Sequence, residues 1–497
     1  MSATVMNSPP PAVQRAGRSV SPWLVLVIAC LAQFMVVLDA TVVNIALPSV
    51  QRGLHFSAAN LQWVVNGYTL IFGGFLLLGG RAADLLGRKR LFVAGVILFT
   101  AASLLNGFAQ SSGMLIVGRG LQGLGGALVS PAALSIVTTT FSDGEQRTKA
   151  LGVWSAIAAG GAAAGLLLGG VLTDIASWRW VFFVNVPVGV ATVMLALRYV
   201  KESRMDVAHR SYDVAGAVAV TGGLVVLVYA IVKAQAYGWG SARTLSLGAL
   251  AIVLLAAFLA IESRAKAPLM RLSIFRIRTL AVADTALLLV ASAMFGMFFF
   301  ASLYVQEVLH YSPLKAGLAF LPVSAGIMVG AVLAQQLLKR LGVRTVSIFG
   351  ITLATAGMLV LTQLPVHGSY AGNLLVGLVP MSIGMGLTFV PITLLGTSGV
   401  TGEDAGLASG LFNTAQQVGG SLGLAILSSL AASRTSSLLH GASSNAIAAR
   451  VSGYHVAFLA AAIMLALGAV LMTFVLRKSH TREIELELAA TGGPVPV

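Results

Sequence analysis

The chain has 497 residues, of which 57% are hydrophobic and 9% charged, and its mean hydropathy is +0.91. That balance excludes a water-soluble globular domain and reads as an all-α polytopic membrane protein. A single cysteine, Cys30, excludes an internal disulfide and a thiol-bound metal, and the seven His lack metal-ligand spacing.

Apolar runs of about 20 residues, the length that crosses ~30 Å of hydrocarbon, occur fourteen times. After a stretch rich in Pro, Pro9 to Pro11, which reads as a disordered tail, the first run is Trp23 to Leu47. It carries LDATVVNIALP, Leu38 to Pro48, which puts Asp39 at membrane depth with Thr41 and Asn44 within about a turn and a half. An ionisable side chain there is costly enough to be a functional residue by default. Shut away from water, a carboxylate must take a proton or a cationic partner, which suits a proton carrier; a purely structural carboxylate is the competing reading.

The second run, Leu61 to Gly79, is followed by GRAADLLGRKR, Gly80 to Arg90. This segment reads as a tight turn at the cytoplasmic interface. Gly80 and Gly87 permit close backbone approach, Asp84 faces a helix N-terminus, and Arg88, Lys89 and Arg90 satisfy the positive-inside rule. The third run is Leu91 to Ala109, and the fourth, Met114 to Ser135, contains GRGLQGLGGA with Arg119 inside the membrane. A guanidinium there must be paired or hydrated. A carboxylate alternating between a proton and Arg119 would bias conformation, whereas a permanent ion pair would only fix helix register.

The fifth run, Ala150 to Leu172, spaces Gly161, Gly165 and Gly169 four residues apart, with Gly170 beside them, which suits close helix packing. The sixth is Trp180 to Tyr199, and two central runs follow, Asp213 to Val232 and Leu245 to Ile261. The remaining six are Leu280 to Leu303, Ala316 to Leu338, Val346 to Leu364, Leu374 to Leu395, Ala405 to Leu430 and Ala457 to Leu476. Asp284 near the inner end of the ninth run and Glu307 near its outer end read as reaching the interface. Gln335 and Gln336 in the tenth, and Gln416 and Gln417 in the thirteenth, bond across helices or line a cavity. Phe298, Phe299, Phe300 and Tyr304 suit a flat substrate or an interfacial belt.

The formal charge of +15 does not indicate a nucleic-acid partner, because the basic residues follow the loops. With both termini cytoplasmic, only Arg52, Arg179, Lys233, Arg243, Lys315, Arg434 and Arg450 fall outside, and Arg119 alone sits inside a span, Arg198 lying at the inner end of the sixth run beside its loop. Basic segments Arg198 to Arg210 and Arg264 to Arg278 flank the central pair and suit anionic lipid headgroups. Two enzyme-like patterns fail on context. Gly118, Gly120 and Gly123 lie inside an apolar helix rather than after a strand, and no Asp follows Ser421 of the GxSxG at Gly419 to Gly423.

GRAADLLGRKR resembles the loop between the second and third spans of the major facilitator superfamily, and LDATVVNIALP resembles the first-span signature of its fourteen-span drug/proton antiporters. Arg119 to Gly126, with Gln122, resembles the fourth-span proton-coupling motif. Gly161 to Gly170 and then SWRWVFFVNVPVG, Ser177 to Gly189, resemble the fifth-span antiporter motif and the junction after it. YSPLKAGLAFLP, Tyr311 to Pro322, and QQVGGSLGLAIL, Gln416 to Leu427, are also similar to family segments. The resemblance implies a major facilitator fold: six-helix halves at 22–200 and 268–476, two linker helices at 201–267, and tails at 1–21 and 477–497. It implies a central cavity and rocking-type alternating access. It further implies a monomer in the cell membrane with both termini cytoplasmic, no cofactor, and the proton gradient as the energy source for exporting lipophilic or amphipathic drugs and antibiotics. An uptake permease for a small metabolite is the alternative on the same fold, and no catalytic constellation points to an enzyme. In this reading Asp39, Arg119, Asn44 and Gln122 couple protons and touch substrate, and the loop with Gly80, Asp84, Gly87, Arg88 and Lys89 forms the inner gate. Gln416, Gln417, Asp284 and Glu307 are secondary cavity candidates. The chain departs from the family pattern at Leu85, where a basic residue is common, and at Leu166, where the fifth-span motif has Pro.

Overall fold

The computed structural model describes residues 21–141, 144–204, 213–265, 268–397, 404–439 and 445–477. The expected tails lie almost wholly outside these residues, as do parts of the basic segment Arg198 to Arg210 and of Arg264 to Arg278. Among the described residues the secondary structure is helical throughout. The helices are α1 Pro22–Leu54, α2 Ala59–Leu86, α3 Arg88–Gly107, α4 Ser112–Thr140, α5 Gly144–Ile175, α6 Trp180–Tyr199, α7 Val214–Ala234, α8 Ala242–Arg264 and α9 Arg278–Val308. A segment Pro313–Leu361 comes next, followed by α12 Tyr370–Thr397, α13 Gly406–Leu439 and α14 Ala446–Phe474. Starts follow the local sequence: Ser111, Ser241, Ser312 and Asn445 each accept a hydrogen bond from a first-turn backbone N–H.

Pro313–Leu361 spans 49 residues, more than one crossing requires. Gly342 divides it into α10 (313–341) and α11 (343–361), because its backbone takes φ 77° and ψ 161°, a conformation that a side chain disfavours. The packing shows the reversal. Gly326 and Gly330 meet Ser382 and Ile383 in parallel order, whereas Gly350 and Gly357 meet Thr388 and Met381 in the opposite order. Among the described residues, thirteen apolar helical segments therefore make fourteen crossings, the number expected from the apolar runs.

The segment Gly80 to Arg90 departs from the expected tight turn. Helix α2 continues through Gly80 to Leu86, and the chain turns at Gly87 alone, where φ is 111°. Nor does Asp84 face the start of α3. It accepts from Arg88 Nη2 at 3.1 Å, and Glu202, beyond α6, receives the backbone N–H groups of Lys89 and Arg90 at 3.1 and 3.2 Å. The Asp84 carboxylate, near the end of α2, is drawn across the Gly87 turn to the guanidinium of Arg88, the first residue of α3, leaving the positive end of α3 to the carboxylate that arrives from α6.

Helices α1 to α6 pack among themselves, and so do α9 to α14. Between these groups α7 and α8 form a pair, with α7 lying against α2 and α13: Leu70, Leu224, Val228 and Ala425 share one apolar cluster. The two groups also meet directly. Near the end remote from Gly87, Ser302 donates to Asn44 O at 2.9 Å and Gln306 to Ile45 O at 2.9 Å. At the same end Gly170 of α5 abuts the backbone of Pro313, and Gly317 of α10 that of Leu166.

Candidate functional site

The buried polar residues of the first six helices converge on Asp39. Its side chain is 0% exposed and that of Arg119 is 2% exposed, and Arg119 Nη1 donates to Asp39 Oδ2. Gln122 Nε2 donates to Asp39 Oδ1 at 2.6 Å and Asn185 Nδ2 donates to the same oxygen at 3.0 Å. Arg119 also donates from Nε to Val64 O and from Nη1 to Gln122 Oε1, each at 2.9 Å. Its guanidinium carbon lies 4.4 Å from the centre of the Tyr68 ring, an arrangement that adds cation–π attraction.

A second layer fixes the amides. Ser103 Oγ accepts from Asn185 at 3.0 Å and from Gln122 at 3.2 Å, and donates to Phe182 O at 2.8 Å. Asn106 Nδ2 donates to Gln122 Oε1 at 2.8 Å. The result is one buried network spanning α1, α2, α3, α4 and α6. Every donor aimed at Asp39 recognises its charged form, so in this arrangement the carboxylate is held as an anion by a cation and two amides.

The glycines of GRGLQGLGGA make this network geometrically possible. A Cβ on Gly118 would strike Asn106 Oδ1, one on Gly123 would strike Tyr68 O, and one on Gly125 would lie 2.7 Å from Phe99 N. Helix α4 can therefore approach α2 and α3 closely enough for Arg119 and Gln122 to reach α1. In α5, Gly161 faces Phe34 and Val37, Gly165 faces Thr41 and Leu38, and Gly169 faces Val42, seating α5 on the helix that bears Asp39. Gly170 points across to α10 instead.

Of the expected coupling residues, Asp39, Arg119 and Gln122 come together. Asn44 does not join them: its amide donates to Ala40 O at 3.3 Å, and its backbone carbonyl serves the contact with Ser302. Gln417 lies against Gly73 at the α2–α13 contact, with Gln416 beside it on α13. Glu307 is tied to Arg450 at 3.0 Å and Tyr454 at 3.1 Å, pinning α9 to α14. Asp284 does not reach the interface but is 5% exposed within the helix bundle. Phe299, Phe300 and Tyr304 are buried, with Phe300 against Tyr454 and Phe458, so these rings pack the core.

Sequence reasoning missed Asn185, Ser103, Asn106 and Tyr68. Asn185 lies in the quoted run SWRWVFFVNVPVG, and a lone amide within an apolar span was the available signal.

A family profile described as Major Facilitator Superfamily matches residues 29–424. The chain is 41% identical over 460 residues to the puromycin resistance protein pur8 of Streptomyces alboniger, covering 91% of this chain and 90% of that one. It is 40% identical over 425 residues to the cephamycin export protein CmcT of Amycolatopsis lactamdurans, covering 85% and 87%. Among solved structures, a bacterial homolog of the human lysosomal transporter Spinster in an inward-facing, unoccupied conformation shares the fold. Its TM-score is 0.63 at 15% identity, covering 93% of this chain and 98% of that one. Fold and buried site thus define a multi-pass membrane transporter. The chain belongs to the major facilitator superfamily, among relatives that are antibiotic resistance and export proteins.

Proposed function

We propose that this chain exports lipophilic or amphipathic small molecules, antibiotics among them, in exchange for protons. The observation that carries the proton coupling is the buried pair Asp39–Arg119. Protonation of Asp39 removes the charge that Arg119, Gln122 and Asn185 jointly hold, and with it the tie between α1 and helices α4 and α6. Rebinding Arg119 expels the proton. A carboxyl alternating between these two partners makes the favoured arrangement of the helices depend on proton occupancy. The relatives' resistance and export names support the substrate class and direction. The Gly87 face, with Arg81, Arg88, Lys89 and Arg90, is assigned to the cytoplasm with both termini, following the excess of basic residues.

The test is gradient-driven dye flux in inverted membrane vesicles, comparing the native chain with Asp39→Asn, which keeps size and removes the titratable charge. Accumulation that requires the gradient in the native chain and disappears in Asp39→Asn is expected. Native flux that persists after the gradient is collapsed contradicts antiport, and gradient-driven flux retained by Asp39→Asn moves coupling to another residue.

A further inference from the structure

Asp284 of α9 differs from the other buried carboxylates among the described residues. Asp39 has its cation and amides, Asp213 accepts from Gly216 N at 2.6 Å, and Glu262 accepts from Met270 N at 3.2 Å. Asp284 is 5% exposed, and neither of its oxygens has a hydrogen-bond partner. Its neighbours along α9 pack in apolar surroundings: Ala283 lies against Gly396, and Leu280, one turn away, clusters with Phe258, Ala408 and Leu411.

Among the described residues no side chain bonds to Asp284. Of the helices that share the cluster of Leu280, α8 carries Glu262, which accepts from Met270 N, and Arg264 at its end, and α2 carries Arg81 and Asp84, the latter bonded to Arg88. Helix α9 packs against α1, α12, α13, α14 and the short segment Leu272–Arg276. Helix α12 has no charged side chain, and its tyrosine, Tyr370, stands at the far end. Arg434 of α13 and Arg450, Tyr454 and His455 of α14 also lie at that far end, where Arg434 bonds Ser452 and Arg450 bonds Glu307. Helix α1 offers Cys30, Asp39, already taken by Arg119, and Arg52, bonded to Ser49. Arg271, Arg276 and Arg278 precede Asp284 on its own strand of chain, at least six residues away. The side chains of Glu403 and Asp404 lie outside the described residues. A bare carboxylate in such a place is far costlier than the neutral acid.

The cluster that Leu280 joins, one turn from Asp284, also belongs to a contact between the two helix groups. Leu77 of α2 rests on Gly410 of α13, and it packs on the same cluster as Leu280, Ala408 and Leu411. Movement that parts α2 from α13 removes one wall of that cluster. From this juxtaposition we propose that Asp284 is a second proton-carrying carboxyl, neutral while shut in as here and ionised when α2 and α13 separate. On separation the carboxyl O–H breaks, the proton passes to entering water, and water then solvates the carboxylate. This rests on the antiport reading and adds a proton to each cycle.

Infrared difference spectra of the purified full chain, acid minus alkaline, report the carbonyl stretch of a titrating neutral carboxyl. In an Asp39→Asn background, which removes the contribution of Asp39 itself, a band from Asp284 is expected, and it is expected to be lost when Asp284→Asn, or Asp284→Leu, which keeps the pocket apolar, is added. A spectrum unchanged in both Asp284 variants overturns the proposal. In liposomes with ethidium as the probe, Asp284→Asn is expected to halve the number of protons moved per ethidium, and an unchanged ratio overturns the carrier role. Should the native chain move ethidium without any gradient, antiport itself fails, and the infrared comparison still decides whether Asp284 binds a titrating proton.

Discussion

At the scale of single residues, the Asp39–Arg119 pair combines a high desolvation cost with nearly complete compensation by hydrogen bonds. Removing one partner from a buried pair typically costs about 3–5 kcal/mol, because the other charge is stranded. Arg119→Leu is therefore expected to lower stability by that order, and the double variant Asp39→Asn with Arg119→Leu to recover a large part of it. Thermal unfolding of the detergent-solubilised protein measures this, and a double variant no more stable than Arg119→Leu would mean that stranded charge is not the cause. Both residues were legible in the sequence because ionisable side chains at membrane depth are costly enough to stand out. Asn185 was not: a neutral amide in an apolar run is as consistent with a local helix contact as with a site. Its contact with Asp39 crosses 146 positions of chain.

Among the helices, function depends on where backbones approach closely. Gly165 and Gly169 press α5 onto α1, while Gly170 faces the other helix group, where an added Cβ would lie 2.7 Å from Pro313 O and 3.0 Å from Leu314 Cα. Those are backbone atoms and cannot rotate away. Gly170→Val is expected to disfavour the arrangement seen here by about 1–3 kcal/mol, a shift of about 5- to 150-fold between conformations. Spin labels at Ala176→Cys and Ser312→Cys, in a Cys30→Ser background, should move apart when Gly170→Val is added; an unchanged distance would show that the α5–α10 contact yields locally. The four-residue glycine spacing made the packing readable, but not the division of its faces between α1 and α10. The Gly87 turn shows the opposite failure: a charged, glycine-containing segment suggested irregular chain, yet intrahelical hydrogen bonding carries the helix on to Leu86, and the Asp84–Arg88 pair bridges the turn to α3.

For the whole molecule, the basic residues define two faces, and orientation is directly testable. In the Cys30→Ser background, Arg81→Cys is expected to react with an impermeant maleimide only from the cytoplasmic side, and Arg243→Cys only from outside; the reverse pattern would invert the topology and the direction of transport. One proton moving inward through 100 mV supplies ~2.3 kcal/mol, enough for about a fiftyfold gradient of a neutral substrate. The sequence by itself determined the class, the fourteen crossings and two of the charged residues at the centre. Each of these follows from hydrocarbon thickness and the cost of burying charge, which act on every stretch of chain independently of its partners. Only the tertiary structure decided which amides meet Asp39, that Glu202 rather than Asp84 receives the first backbone N–H groups of α3, that Asn44 and Glu307 serve helix contacts, and that Asp284 has no hydrogen-bond partner among the described residues. Those outcomes depend on which helix faces are pressed together, and residues distant in the chain settle that by packing.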